Sequence, residues 1–347
     1  MQRLTVAGRL LITALILAAI FFGFRYFGGN DALRKLAPKQ SEESATLPKS
    51  DDQSSSSSAE ESSATDNTSS EATASDTPRR AFTYTPPAPN GGKLKGVVEL
   101  GASGFNSFII RIDDQKNWKL EKAEFGNSLV IENMASDDDI RAGLKSYIGK
   151  MLDFGVSGRD IHFVVSSGAV KAEGTQKIIK ALKSLNYFVN TVTPEQEGTL
   201  ALRSVLPADY DNNSFVVDIG SGNTKISWKN GGSTKALETY GAKYFQNGTS
   251  DDVVTSEVKA KAKQVPEDHR KTCFIIGGVP FELAKAVRNG KERYTVLDAP
   301  SAYKLDNAKS KAGLTIYKAI AEATGCDQFV FDWDANFTIG FLLNMPK

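Results

Sequence analysis

The chain has 347 residues and a net charge of +1, from 42 Lys and Arg against 41 Asp and Glu. That balance excludes a strongly basic nucleic-acid surface and provides no bulk attraction to an acidic partner. The two cysteines, Cys273 and Cys326, lack metal-ligand spacing and read as small buried apolar residues; spacing alone leaves a disulfide between them open.

Residues 1–9 form a short tail, and Leu10 to Phe24 is an unbroken apolar run between Arg9 and Arg25. The run is short for ~30 Å of hydrocarbon. With Arg25 snorkelling and Tyr26-Phe27-Gly28-Gly29 added, residues 10–29 are expected to be a single transmembrane anchor in the bilayer. A cleaved signal peptide is the rival reading, opposed by the bulky Phe21, Phe22, Phe24, Tyr26 and Phe27. No cysteine follows the run, which argues against lipoprotein processing. Arg3 and Arg9 on one side nearly balance Arg25, Arg34, Lys35 and Lys39 on the other. The short basic tail leans toward the cytoplasm, which gives a single-pass inner-membrane protein with its folded part on the extracytoplasmic side. Residues 30–92 then read as a flexible Ser/Thr-rich acidic linker, with a serine run from Ser54 to Ser58, almost no large apolar residues, and Pro86, Pro87 and Pro89 stiffening its end.

The folded part is expected over two lobes, 93–208 and 209–347, the last residues returning to the first lobe. Lys95 to Asp113 reads as two strands around a turn and Trp118 to Phe125 as a third. Ser136 caps a helix carrying Ile140, Leu144, Tyr147, Ile148, Met151 and Leu152 at helical spacing. Ile161 to Val165 reads as a buried parallel strand, Thr175 to Leu185 as a helix and Tyr187 to Val192 as a strand. Thr193-Pro194 opens the next helix, and a second hairpin runs from Phe215 to Trp228. Beyond it come a helix over Thr249 to Gln264, a strand over Cys273 to Gly278, helices over Phe281 to Val287 and Leu314 to Thr324, and a strand over Gln328 to Asp332.

The two hairpins share a chemistry. Each is an apolar strand, a carboxylate (Glu99, Asp218), a turn of small residues (Gly101 to Ser103; Gly220, Ser221, Gly222, Asn223, Thr224), then a second strand. Backbone N–H groups in such turns make an anion-binding concavity, and a neighbouring carboxylate suits a divalent metal that arrives with phosphate. Two of them suggest facing lobes that grip a phosphate chain. His162 and His269 have no partner at a recognisable spacing and read as structural.

The order β-β-β-α-β-α-β-α followed by a second hairpin resembles the repeating lobe of the actin-like (ribonuclease H-like) ATPase fold. A finer resemblance is to the exopolyphosphatase / guanosine pentaphosphatase (Ppx/GppA) family. It rests on Val164 to Lys171, Val192 to Gly198, Asp218 to Thr224, Leu237 to Ala242, Ile275 to Val279 and Gly340 to Leu342, in register. The resemblance implies a membrane-anchored phosphatase acting on polyphosphate or a phosphorylated guanosine nucleotide with Mg²⁺. Glu197 would be the general base and Asp218 and Glu99 the metal side. Gly101, Ser103, Ser167, Lys171, Gly220 to Lys225, Gly277 and Gly278 would contact phosphate. Read by itself, Glu197 is also an ordinary helix-start acid favoured by the dipole. A homodimer is left open, and nucleic acid is not expected.

The chain departs from the family at telling places. Lys225 stands where a second essential glutamate is expected, Glu99 where aspartate is expected, and Gly168 lacks the family's hydroxyl. Asp334-Ala335-Asn336-Phe337-Thr338-Ile339-Gly340 lacks the family's arginines. The alternative expectation is therefore a catalytically inactive phosphate- or nucleotide-binding sensor or scaffold. An actin-like filament protein is a third reading, without a polymerisation signature.

Overall fold

A computed structural model describes residues 82–101, 104–125 and 137–346. The anchor expected over residues 10–29, the linker up to residue 81, Ser103 and the Ser136 cap lie outside the described residues. Among the described residues no helix is long and apolar enough to cross a membrane.

The first sheet grows from the hairpin of β1 (Lys93–Gly101) and β2 (Gly104–Ile112), extended antiparallel by β3 (Trp118–Phe125). On the other side of β1 lie β4 (Ile161–Val165) and β5 (Val189–Thr191), both parallel, in the order β3-β2-β1-β4-β5. Val97 and Val98 are both buried, as are Ile109 and Ile110, so both faces of the central hairpin are covered. One face packs on α1 (Asp137–Asp153) and α2 (Glu173–Ser184) through Leu144, Ile148, Ile178 and Leu182. Then α3 (Pro194–Val205) begins in a capping box: Thr193 Oγ1 accepts from Gln196 N–H, and Gln196 Oε1 accepts from Thr193 N–H.

The second sheet repeats the plan with β6 (Ser214–Ile219), β7 (Asn223–Asn230), β8 (Ser233–Tyr240), β9 (Thr272–Gly277), β10 (Tyr294–Val296) and β11 (Gln328–Asp332). Its order is β10-β11-β9-β6-β7-β8. The leading hairpin, its third antiparallel strand and the parallel strand beside it match the first sheet position for position. Helices α4 (Asp251–Ala262), α5 (Gly278–Val287) and α6 (Ala308–Thr324) bury Val254, Leu283 and Ile316 on one face.

A single core joins the lobes. Val97, Phe108 and Val164 of the first sheet share a cluster with Val216, Phe274 and Ile276 of the second. The cluster also takes Leu200 of α3 and Phe337, Ile339 and Leu342 of the last helix, α7 (Phe337–Asn344). Gly340 lets α7 approach α3 closely: a Cβ there would lie 1.9 Å from the Leu200 carbonyl oxygen. Ahead of β1, Phe82 packs against Tyr210, Phe274 and Tyr294, so the chain is already seated on the second lobe before the expected linker end at residue 92. Three elements were not expected from the sequence: β8, β10 and α7.

Candidate functional site

Parallel strands bring their carboxyl ends to one edge of each sheet, where ligands settle in open α/β folds. The ends of β1 (Gly101), β4 (Ser166, Gly168), β6 (Asp218, Gly220) and β9 (Gly277, Gly278) meet around a cleft of about 310 Å³. Gly277 has φ +111°, and a Cβ there would lie 2.3 Å from the Ile219 carbonyl oxygen; only glycine lets β9 turn directly into α5 beside β6.

The β6–β7 turn is more self-contained than its sequence suggests. Gly220 N–H donates to the Asn223 carbonyl at 3.0 Å, so that group is used inside the turn. Asn223 Nδ2 donates to Ser167 Oγ at 2.9 Å and to Glu238 Oε1 at 2.6 Å. The turn also touches the other lobe: a Cβ on Gly222 would lie 3.0 Å from Gly168 Cα, and one on Gly168 3.1 Å from Gly222 Cα.

At the centre is a buried ion pair. Strand register places Asp218, Lys225 and Glu238 side by side on β6, β7 and β8, and residues directly opposite in an antiparallel pair share a face. Glu197, in the first turns of α3, lies over this row. The Lys225 ammonium donates to Glu197 Oε1, with both residues only 2% exposed. Glu197 Oε2 accepts from Ser167 N–H at 2.8 Å and from the Ser167 hydroxyl. Both carboxylate oxygens are thus engaged by the protein itself. Burial pushes Asp218 up to about 6; Lys225 opposes that rise and the Glu197 charge adds to it. Burial likewise pushes Glu99 up to about 7, against Asn106, whose Nδ2 donates at 3.0 Å, with Asp218 and Glu197 adding to the rise. Asn336, the cap of α7, donates to the same Glu99 oxygen at 3.1 Å.

The expected Mg²⁺ does not fit this donor set. Among the described residues no three Asp, Glu, His or Cys side chains gather to hold a metal. Of the two carboxylates expected on the metal side, Glu99 is held by two amide donors and burial pushes both Glu99 and Asp218 toward the protonated form, while the neighbouring Glu197 is bonded to a lysine ammonium.

Of the other expected residues, Gly101, Ser221, Gly222, Asn223, Lys225, Gly277 and Gly278 line the cleft. Ser167 reaches it through Glu197. Thr224 is fully buried, pointing into the second lobe with Oγ1 unpartnered, and Lys171 is exposed and away from the cleft lining. Lys171 therefore does not join the others. His162 is half-buried on β4, and burial holds its imidazole below the usual range; His269 lies in a one-turn helix.

The sequence reading missed Asn106, Asn336 and Lys309, and an aromatic lining. Lys309 left one signal: a lysine in the first turn of α6 opposes the helix dipole, and so implies another role. Burial holds its ammonium below the usual lysine range, with Glu282 opposing that shift and Lys243 adding to it.

No protein-family model and no curated protein matches the chain. Solved structures do. One is the Ppx/GppA phosphatase of Aquifex aeolicus in its type II variant, at 16% identity and a TM-score of 0.53, covering 72% of this chain and 98% of that one. Another is an exopolyphosphatase from Cytophaga hutchinsonii, at 13% identity and a TM-score of 0.57, covering 72% of this chain and 96% of that one. The described domain has the two-lobed actin-like fold of these Ppx/GppA structures.

Proposed function

We propose that the cleft binds a phosphorylated ligand without metal-dependent hydrolysis, Lys309 beside the start of α5 supplying the positive charge while Lys225 neutralises the carboxylate that hydrolysis would use. The bond between Lys225 and Glu197 carries this reading. A general base must offer a lone pair to water, and such help is worth about 10²–10⁴ in rate. Both Glu197 oxygens are instead held by Lys225 and Ser167. The means of binding phosphate remain: strand ends that converge, the start of α5 at Gly278, and Lys309 beside it. Residues 10–29 would hold this module at a bilayer; loss of the chain from the membrane fraction on deleting them tests that part.

The test is phosphate release by the full chain with Mg²⁺ and either polyphosphate or guanosine pentaphosphate. The expected result is no release, with a ligand-dependent rise in melting temperature. Release that disappears in Glu197→Gln overturns the reading in favour of a working hydrolase. That second reading draws on Glu197 lining the cleft beside the strand ends.

A further inference from the structure

The charge in the cleft is poorly matched to a long polyanion. Among the described residues its lining holds three carboxylates, Glu99, Glu197 and Asp218, against two ammonium groups, Lys225 and Lys309. Lys225 is already bonded to Glu197, which leaves Lys309 as the cation of the lining outside that pair. An inorganic polyphosphate carries charge on every unit and finds its strength in charge-assisted hydrogen bonds. One lysine beside a cluster of carboxylates offers it little.

Beside these groups and the polar Asn106, Ser166, Ser221, Asn223 and Asn336, the lining carries a set of aromatic rings. Phe108 and Phe125 come from the first sheet, and Phe281, Phe331 and Trp333 from the second lobe. Their rings form a chain across the cleft: Phe108 to Phe125 at 5.9 Å, Phe125 to Phe281 at 5.7 Å, Phe281 to Trp333 at 5.3 Å and Phe331 to Trp333 at 5.1 Å between centroids. The Arg288 guanidinium lies 3.7 Å from the Trp333 ring centroid, and Trp333 Nε1 donates to Thr295 Oγ1 at 2.8 Å, so the indole is fixed. Phe125, by contrast, is 62% exposed. Fixed aromatics on one side, an open ring on the other and the polar groups of the strand ends describe a site for a small organic ligand.

The positions of the two ends are coupled through α5. Gly278 starts the helix, within reach of Lys309: a Cβ on Gly278 would lie 3.6 Å from Lys309 Nζ. Phe281 stands three residues on, on the same face, about one turn or ~5 Å away. An anion at Gly278 and Lys309 would therefore have a ring of the same molecule beside Phe281.

We propose that the cleft selects a phosphate monoester with a planar aromatic body, phosphate toward Gly278 and Lys309, ring against Phe125, Phe281 and Trp333. This rests on the phosphate-binding reading above and names its ligand class. Two sources share that chemistry, an aryl phosphate and a nucleoside monophosphate.

Calorimetric titration of the full chain with 1-naphthyl phosphate, guanosine monophosphate and inorganic tripolyphosphate, in magnesium-free buffer, tests it. At least one of the two aromatic esters is expected to bind tenfold or more tightly than tripolyphosphate, and which one does so identifies the source. Phe125→Ser, at an exposed position that the fold tolerates, is expected to remove most of that preference and leave tripolyphosphate binding unchanged. Tripolyphosphate binding as tightly as the esters, or an ester preference untouched by Phe125→Ser, overturns the ligand class while the phosphate-binding reading stands. Binding by none of the three overturns both.

Discussion

Lys225 and Glu197 are each nearly devoid of solvent, so neither tolerates the loss of the other. Removing one partner of a buried pair leaves an uncompensated charge, which costs about 3–5 kcal/mol, whereas replacing both by apolar or neutral groups is often close to neutral. Lys225→Met is therefore expected to lower the urea midpoint sharply, and Lys225→Met with Glu197→Gln to recover most of it. A double variant no better than the single would show that the pair is not the unit. Glu99 gives a pH signature. Its folded-state pKa of about 7 lies above the ordinary value of 4.5, so between those limits the native state holds the proton more tightly than the unfolded chain. Its contribution to stability is thus fully present at low pH and is lost as pH rises from about 4.5 to 7, by an amount on the order of 3 kcal/mol. Asp218, pushed up to about 6, works in the same sense. Glu99→Gln is expected to stabilise the protein at pH 8 relative to wild type and to narrow that gain at pH 5, as read by urea unfolding at the two pH values.

Among the elements, the contact of α7 with α3 is the least forgiving. Gly340→Ala would drive a methyl group to within 1.9 Å of a helix carbonyl, so one helix has to move. Overpacking of that kind costs about 3 kcal/mol at the upper end of the usual range, and a calorimetric melt is expected to show it. α7 also shows what the sequence could not display. Its residues Phe337, Ile339, Gly340, Leu342 and Leu343 are buried around most of the helix, so no polar face sets a 3.6-residue period. At three residues, β10 is too short to carry a pattern, and β8 is a sheet-edge strand rich in Thr, Lys and Glu. β4 and β11 were legible to the residue because apolar β-branched or aromatic runs ended in clear breaks, and β3 because Trp118 and Phe125 bound a charged, half-buried stretch. At the site, the glycine turns were legible as turns. The meeting of Glu197 with Lys225 was not, because it depends on how a helix lies over a strand 28 residues further on. The aromatic lining was dispersed over β2, β3, α5, β11 and the residue after it, and no local spacing unites those positions.

For the whole molecule, the lobes share one core and also touch at Gly168 and Gly222 across the cleft. Gly222→Ala is expected to part that contact at a cost of about 1–3 kcal/mol and to speed amide exchange on both sides of it. An unchanged exchange pattern would show that the β6–β7 turn yields alone.

The aromatic seat ahead of β1 has a mechanical consequence. Phe82 lies 5.5 Å from Phe274 and 5.2 Å from Tyr294, centroid to centroid, and both partners belong to the second lobe. A pull applied on the N-terminal side is therefore borne first by rings that must slide off β9 and β10, and only afterwards by the hydrogen bonds that tie β1 to β2 and β4. Stretched from that end in a force-extension experiment, the domain should yield in two steps, and Phe82→Ala should erase the first and leave the second in place.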